Sequence, residues 1–248
     1  MSRAWQQFRS VLVAVTLALL IRSLVVESYY VPSESMLPTL VVGDHMLVQK
    51  FTFGARIPFT SLQFPALRDP RRGEVVTFVL GRKGFGEICP ADRCPDYPRE
   101  RFVKRIVGLP GDTIEVIDGR VEVNGRRLPV EGSKDSLVDD SGDVLRLGTE
   151  TIDTFTHAVA DHPESHGLNQ THFTVPEDRY FMLGDNRDNS YDSRGWGTVA
   201  RGDIIGPVTI LYWSWNNRGT WLSMLNPATW WRLLTNETRW SRLGMTVR

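Results

Sequence analysis

The 248-residue chain carries 29 Lys+Arg against 29 Asp+Glu, with 41% hydrophobic and 10% aromatic residues. Zero formal charge argues against a nucleic-acid binder, which needs excess positive charge to neutralise phosphates, and the aromatic content argues against disorder. Two cysteines cannot build a disulfide-dense scaffold or a four-cysteine zinc site, and the length suffices for one large or two small domains.

The chain opens on an asymmetric segment. Residues 1–26 hold Arg3, Arg9 and Arg22 and no acid, which leaves 26 basic against 29 acidic residues in the remainder. Val11 to Ile21 is apolar except for Thr16, and Leu24, Val25 and Val26 extend the run. As a helix, residues 11–26 would span about 24 Å, and Phe8 with a snorkelling Arg22 would close the gap to a hydrocarbon core. Tyr29 and Tyr30 would sit at the interface, and the arginines would hold the N-terminus in the cytoplasm. A cleavable leader is disfavoured, because RSLVVESYY offers no small-x-small site. The expectation is an uncleaved transmembrane anchor over 1–26, contact with the lipid bilayer, and everything beyond residue 27 outside the cytoplasm.

Beyond the anchor the pattern predicts a mainly β fold. Glu74–Leu80 and Arg101–Val107 read as strands. Thr113–Ile117, Asp118-Gly119 and Arg120–Asn124 read as a hairpin, since Asp-Gly suits a primed turn, and Asn124-Gly125 marks a second turn. Arg179–Leu183 and Ile204–Trp213 are further strands. Residues 131–172 are polar and read as an insert on the β scaffold. His157, His162, His166 and His172 fall in or beside it, and Pro163 and Gly167 disfavour a helix that would join His162 to His166 at a metal. No metal site and no cofactor are expected. Cys89 and Cys94 bracket a short proline-containing loop and favour a disulfide in an extracytoplasmic compartment. Trp213, Trp215, Trp221, Trp230, Trp231 and Trp240 crowd the C-terminal part, interleaved with Arg218, Arg232, Arg239, Arg242 and Arg248. Core packing and an interfacial surface both fit them.

Three segments carry chemistry. In VPSESMLPTL at 31–40, Pro32 and Pro38 suggest an extended path on which Ser33 and Ser35 face one side, as nucleophile and oxyanion donor would. In RFVKRIVGLPGD at 101–112, Lys104 shares a strand face with Phe102 and Ile106, and burial there would lower its pKa toward that of a usable base. The strand pattern alone favours a lysine snorkelling along an edge strand. GDNRDNSYDSRG at 184–195 is a dense polar loop, with no glutamate to close a twelve-residue calcium loop.

Together these segments, with RGEVVTF at 72–78, resemble the sequence boxes of the type I signal peptidases, or leader peptidases, from the anchor to about Trp215. The resemblance implies a bacterial inner-membrane protein of single-pass topology. Its fold would be an N-terminal transmembrane helix and an extracytoplasmic β-rich catalytic domain, with residues 27–112 and 177–248 as the core and 113–176 as a hairpin-bearing insert. It implies a serine endopeptidase that removes signal peptides from secretory preproteins through a Ser-Lys dyad and an acyl-enzyme. Ser35 would be the nucleophile and Lys104 the general base, with Ser33 in the oxyanion hole. Ser190 would orient Lys104, and Asp192 and Arg194 would support the loop as an ion pair. Tyr30, Val31, Pro32 and Val103 would wall the pockets for the small residues of an Ala-x-Ala substrate. Phe102 stands where many relatives have tyrosine. The competing readings are a Ser-Lys peptidase dedicated to one precursor and a non-catalytic membrane-tethered binding domain. A self-cleaving repressor fails for want of a DNA-binding segment.

Overall fold

The computed structural model describes residues 3–54, 64–82, 88–90, 93, 96, 98–117, 119–162, 171–216, 231, 235 and 237–247, without the side chains of residues 4, 17–24 and 171. His166, Cys94, Asp118, Trp221, Trp230, Arg218, Arg232 and Arg248 lie outside the described residues.

Helix α1 spans Arg3–Leu24 and strand β1 follows at once, Val26–Tyr30. This corrects the transmembrane expectation, and with it the inner-membrane, single-pass localisation. Among the described residues no helix is long and apolar enough to cross a membrane, so the expected bilayer contact has no structural support. The physical reason is how the apolar residues are divided. Val26 does not lengthen the helix but pairs with Gln49 in a sheet. The helix proper holds Arg3, Gln6, Gln7, Arg9, Ser10 and Arg22, and its uninterrupted apolar stretches are much shorter than the roughly 20 residues a span requires.

The remainder is mainly β, as expected. The strands are β2 (Asp44–Gln49), β3 (Val75–Arg82), β4 (Ile88–Pro90), β5 (Arg99–Gly108), β6 (Thr113–Ile117), β7 (Arg120–Val123), β8 (Arg126–Arg127), β9 (Val130–Val138), β10 (Val144–Ile152), β11 (Phe155–Asp161), β12 (Thr171–Thr174), β13 (Arg179–Leu183), β14 (Val199–Ala200) and β15 (Ile204–Ser214). A short helix, α2, covers Ser193–Trp196. The large sheet runs β1-β2-β15-β3-β5-β13-β14, with β4 on β3. A second sheet runs β12-β6-β7-β8 and a third β11-β10-β9.

Local chemistry explains these elements. Val75, Val76, Thr77 and Phe78 are all buried, as suits a central strand covered on both faces. The β6–β7 hairpin pairs Ile117 with Arg120 across the Asp-Gly turn, where Gly119 takes φ +71°. At the next turn Asn124 and Gly125 take φ +54° and +75°, the left-handed pair that a primed turn demands. The core of the large sheet gathers Phe53, Phe78, Leu80, Ile106, Met182 and Trp196. A second cluster, around Val107, Ile114, Val121 and Phe181, packs β6 and β7 against β5 and β13.

Cys89 is disulfide-bonded, and Cys94 is the only other cysteine in the sequence. Among the C-terminal tryptophans, Trp213 meets both Trp215 and Trp240 edge-on, while Trp231 and Trp240 are exposed. Arg239 and Arg242 turn inward instead, Arg242 pairing with buried Asp44 at 2.6 Å.

Candidate active site

Three segments meet at a cleft lined by residues of β1, β5 and the loop that follows β13. The 31–40 segment does not run extended past Ser33, because the Leu37 amide bonds the Glu34 carbonyl and the Leu40 amide bonds that of Met36. Buried Val31, Met36 and Leu40 anchor this turn in a cluster with Met46 and Val48. The turn nonetheless presents Ser33 Oγ 3.4 Å from Ser35 Oγ. Strand β5 brings Lys104 opposite Val76 of β3, and its Nζ lies in hydrogen-bond contact with Ser35 Oγ.

Lys104 is 3% exposed, which rules out a snorkelling side chain. Burial pushes its pKa from 10.5 down to about 8, against the attraction of Asp192 and Asp185 and with some help from Arg194. An amine of that pKa is neutral in a useful fraction of molecules near neutral pH and can accept a serine proton.

The 184–195 loop closes the floor. Asp192 caps α2 and receives Arg194 Nε at 2.8 Å on Oδ1, and Arg194 Nη2 at 2.8 Å and the Gly184 amide at 3.1 Å on Oδ2. The Ser190 hydroxyl also donates to Asp192 Oδ2, at 2.8 Å, and not to Lys104. Gly184 is required by close approach: a Cβ there would lie 2.4 Å from the Ser35 carbonyl oxygen and 2.2 Å from Ser190 Oγ.

A cleft of about 630 Å³ opens over this centre, lined by Ser33, Ser35 and Lys104 together with Tyr30, Pro32, Phe102 and Val103. Val31, expected as a wall residue, is 1% exposed and belongs to the core beneath. Tyr29, Met46, Thr77, Ile88 and Tyr191 line the cleft as well, a place the sequence did not give them. Strand alternation beside Tyr30 would have turned Tyr29 to the other face; Tyr29 and Met46 come together as a cross-strand pair of β1 and β2, a long-range contact with no local signal.

Sequence reasoning also missed a buried charge cluster behind the site. Arg105 follows the lysine and is fully buried, bidentate to Asp185 at 2.8 and 2.7 Å. Burial works to raise the Asp185 carboxyl, but Arg105 overrides it and holds the pKa below the usual carboxylate value. Thr39 donates to the same carboxylate at 2.5 Å, which ties the serine-bearing turn to the loop. Among the described residues no cluster of His, Cys, Asp and Glu could hold a metal ion.

Residues 4–213 match the family model described as signal peptidase, peptidase S26. A signal peptidase I of Pseudomonas aeruginosa is 34% identical over 214 residues, covering 80% of this chain and 69% of that protein. One from Leptolyngbya laminosa is 34% identical over 206 residues, covering 83% and 78%. A crystal structure of a signal peptidase I from Enterococcus faecalis V583 aligns with 58% of this chain and 100% of its own, at 25% identity and a TM-score of 0.35.

Proposed function

The chain belongs to the signal peptidase family, peptidase S26, and is a serine endopeptidase, and we propose that it cleaves signal peptides from secretory preproteins with Ser35 as nucleophile and Lys104 as general base. The observation that carries the assignment is the contact of Lys104 Nζ with Ser35 Oγ, made by a buried amine of depressed pKa.

The steps follow from where protons can go. Neutral Lys104 takes the Ser35 proton as Oγ bonds to the scissile carbonyl carbon. The oxyanion is received by the Ser33 hydroxyl and the Ser35 amide, and such donors are worth about 3–4 kcal/mol each. The Lys104 ammonium then protonates the departing amine as the C–N bond breaks, which leaves the signal peptide esterified to Ser35. Lys104, neutral again, takes a proton from water, whose oxygen attacks the ester carbonyl, and it returns that proton to Ser35 Oγ as the C–Oγ bond breaks, which frees the signal peptide as a carboxylic acid and restores the enzyme. No histidine lies within any of the four boxes, so a Ser-Lys pair suits the chain better than a Ser-His-Asp triad. Asp192, held by Arg194 and Ser190, places a negative charge behind the lysine and limits how far its pKa falls.

Substrate would enter extended along the cleft between β1 and β5, where alternate side chains face one wall. Tyr30, Pro32 and Val103 are the wall residues for small side chains, with Phe102 as apolar cover. The test is cleavage of a model preprotein by wild type, Ser35→Ala and Lys104→Met. Both variants are expected to lose at least a thousandfold in kcat while keeping the wild-type circular dichroism. A folded variant of either kind with near-normal cleavage would overturn the assignment.

A further inference from the structure

The polar stretch at 131–172 supplies two buried side chains, Glu150 and His157, to the back of the catalytic centre. Glu150 of β10 receives Arg187 Nη1 at 2.7 Å on Oε1 and Nη2 at 2.5 Å on Oε2. Glu150 and Arg187 are both buried, Glu150 completely and Arg187 almost so. His157 of β11 lies beside them, Nε2 3.4 Å from Glu150 Oε2 and 3.7 Å from Asp185 Oδ1, with neither ring nitrogen hydrogen-bonded. Burial foremost, helped by Arg105, keeps that ring neutral near neutral pH, against the pull of Asp185 and Glu150. Glu150 pairs with Arg187 and Asp185 with Arg105 beside a neutral ring, and Asp161 adds its attraction to Arg187.

This cluster is wired to the nucleophile through backbone. The Ala160 amide of β11 bonds the Asp185 carbonyl at 2.9 Å, and the Arg187 amide returns to the Ala160 carbonyl at 2.9 Å. Between them Asn186 gives its amide to the Ser35 carbonyl at 3.2 Å and its side-chain NH₂ to the Glu34 carbonyl at 3.2 Å. Arg187 Nε holds the Gly184 carbonyl at 3.2 Å, and the Arg187 carbonyl accepts Arg194 Nη2 at 2.6 Å. The turn at 184–187 is thus gripped by β11 on one side and by Arg187 on the other. The serine-bearing turn rests on it.

We propose that Glu150 is a positioning residue for the peptidase: by fixing Arg187 it sets the 184–187 turn, and through Asn186 the place of Ser35 against Lys104. The proposal rests on Ser35 and Lys104 being the reacting pair. It gives β10 and β11 a part in the reaction beyond covering the core. A bidentate carboxylate–guanidinium pair suits that part, because its two parallel bonds fix orientation as well as distance. An apolar pair of the same volume would fill the space without aiming the turn.

Removal of one buried charge destabilises strongly, so two variants are needed. Glu150→Gln keeps the shape and removes the charge. The double variant Glu150→Gln, Arg187→Met removes both charges of the pair together, so that neither of the two is left buried without the other. Each is assayed as full-length protein on a peptide with Ala-x-Ala before its scissile bond, and kcat is expressed per folded molecule from circular dichroism of the same sample. Both variants are expected to lose at least tenfold in kcat with KM within twofold of wild type. The rate at which Ser35 is acylated by a serine-directed covalent probe should fall in parallel. A kcat per folded molecule equal to wild type in the double variant would overturn the proposal and reduce the pair to a structural one. Ser35→Ala in the same assay separates the two failures: an active Ser35→Ala sinks the dyad, whereas an inactive one beside a fully active double variant sinks only the role of Glu150.

Discussion

Lys104→Met should make the protein more stable while abolishing its activity. The lysine is almost wholly buried, and its pKa drops from 10.5 to about 8, mainly through burial. At about 1.4 kcal/mol per pH unit, holding its charge inside costs roughly 3 kcal/mol at pH 7. Methionine has a similar length, carries no charge and adapts to irregular space. Loss of the contact with Ser35 returns about 1 kcal/mol, so the net gain is about 2 kcal/mol, or about 4–8 °C in Tm for a chain of this size. The pH dependence identifies the cause. Between about 8 and 10.5 the unfolded chain binds more protons at this lysine than the folded one, so wild-type stability rises with pH across that window. The advantage of the variant should accordingly be full at pH 7 and nearly gone at pH 10. Urea or thermal unfolding of both proteins at the two pH values measures it. A variant no more stable than wild type at pH 7, or one whose advantage is the same at both pH values, would refute the claim that the lysine is held against a desolvation cost.

Two further outcomes follow from the same geometry. Wild-type kcat/KM should rise with pH through an apparent pKa near 8 and then level off, because only neutral Lys104 accepts the Ser35 proton; a flat profile from pH 6.5 to 9.5 would contradict it. Gly184→Ala should cost at least a hundredfold in kcat, because its Cβ would fall 2.4 Å from the Ser35 carbonyl oxygen and displace the nucleophile; unchanged cleavage kinetics would show that the turn can give way.

Much of the scaffold was legible where period and turn chemistry act locally. The Asp-Gly and Asn-Gly turns, the β6–β7 hairpin and Arg179–Leu183 follow from residues within a few positions of one another. Lys104 was legible as a candidate because alternation along β5 set it between Phe102 and Ile106, but its burial depends on β3 lying alongside. Glu150 was hidden by a break in that same alternation. Leu145 and Ile152 are both buried although they stand an odd number of residues apart, because a register shift between Arg146 and Gly148 changes the phase of β10. Past the shift, Glu150 and Ile152 share the inward face, and strict counting by two from Leu145 would have turned Glu150 to solvent. The first segment misled for a different reason. Hydropathy alone joined Val26 to the apolar run before it, whereas its backbone was claimed by pairing with β2, a long-range contact that no local window contains.

The most direct measurement is the mass of the enzyme trapped during turnover. Wild-type protein mixed with an Ala-x-Ala ester or peptide and quenched within one turnover should gain the mass of the amino-terminal fragment, and proteolytic mapping should put that mass on Ser35. Lys104→Met should show no adduct under the same conditions. An adduct on another residue, or product formation at full rate with Ser35 never modified, would contradict the proposed chemistry.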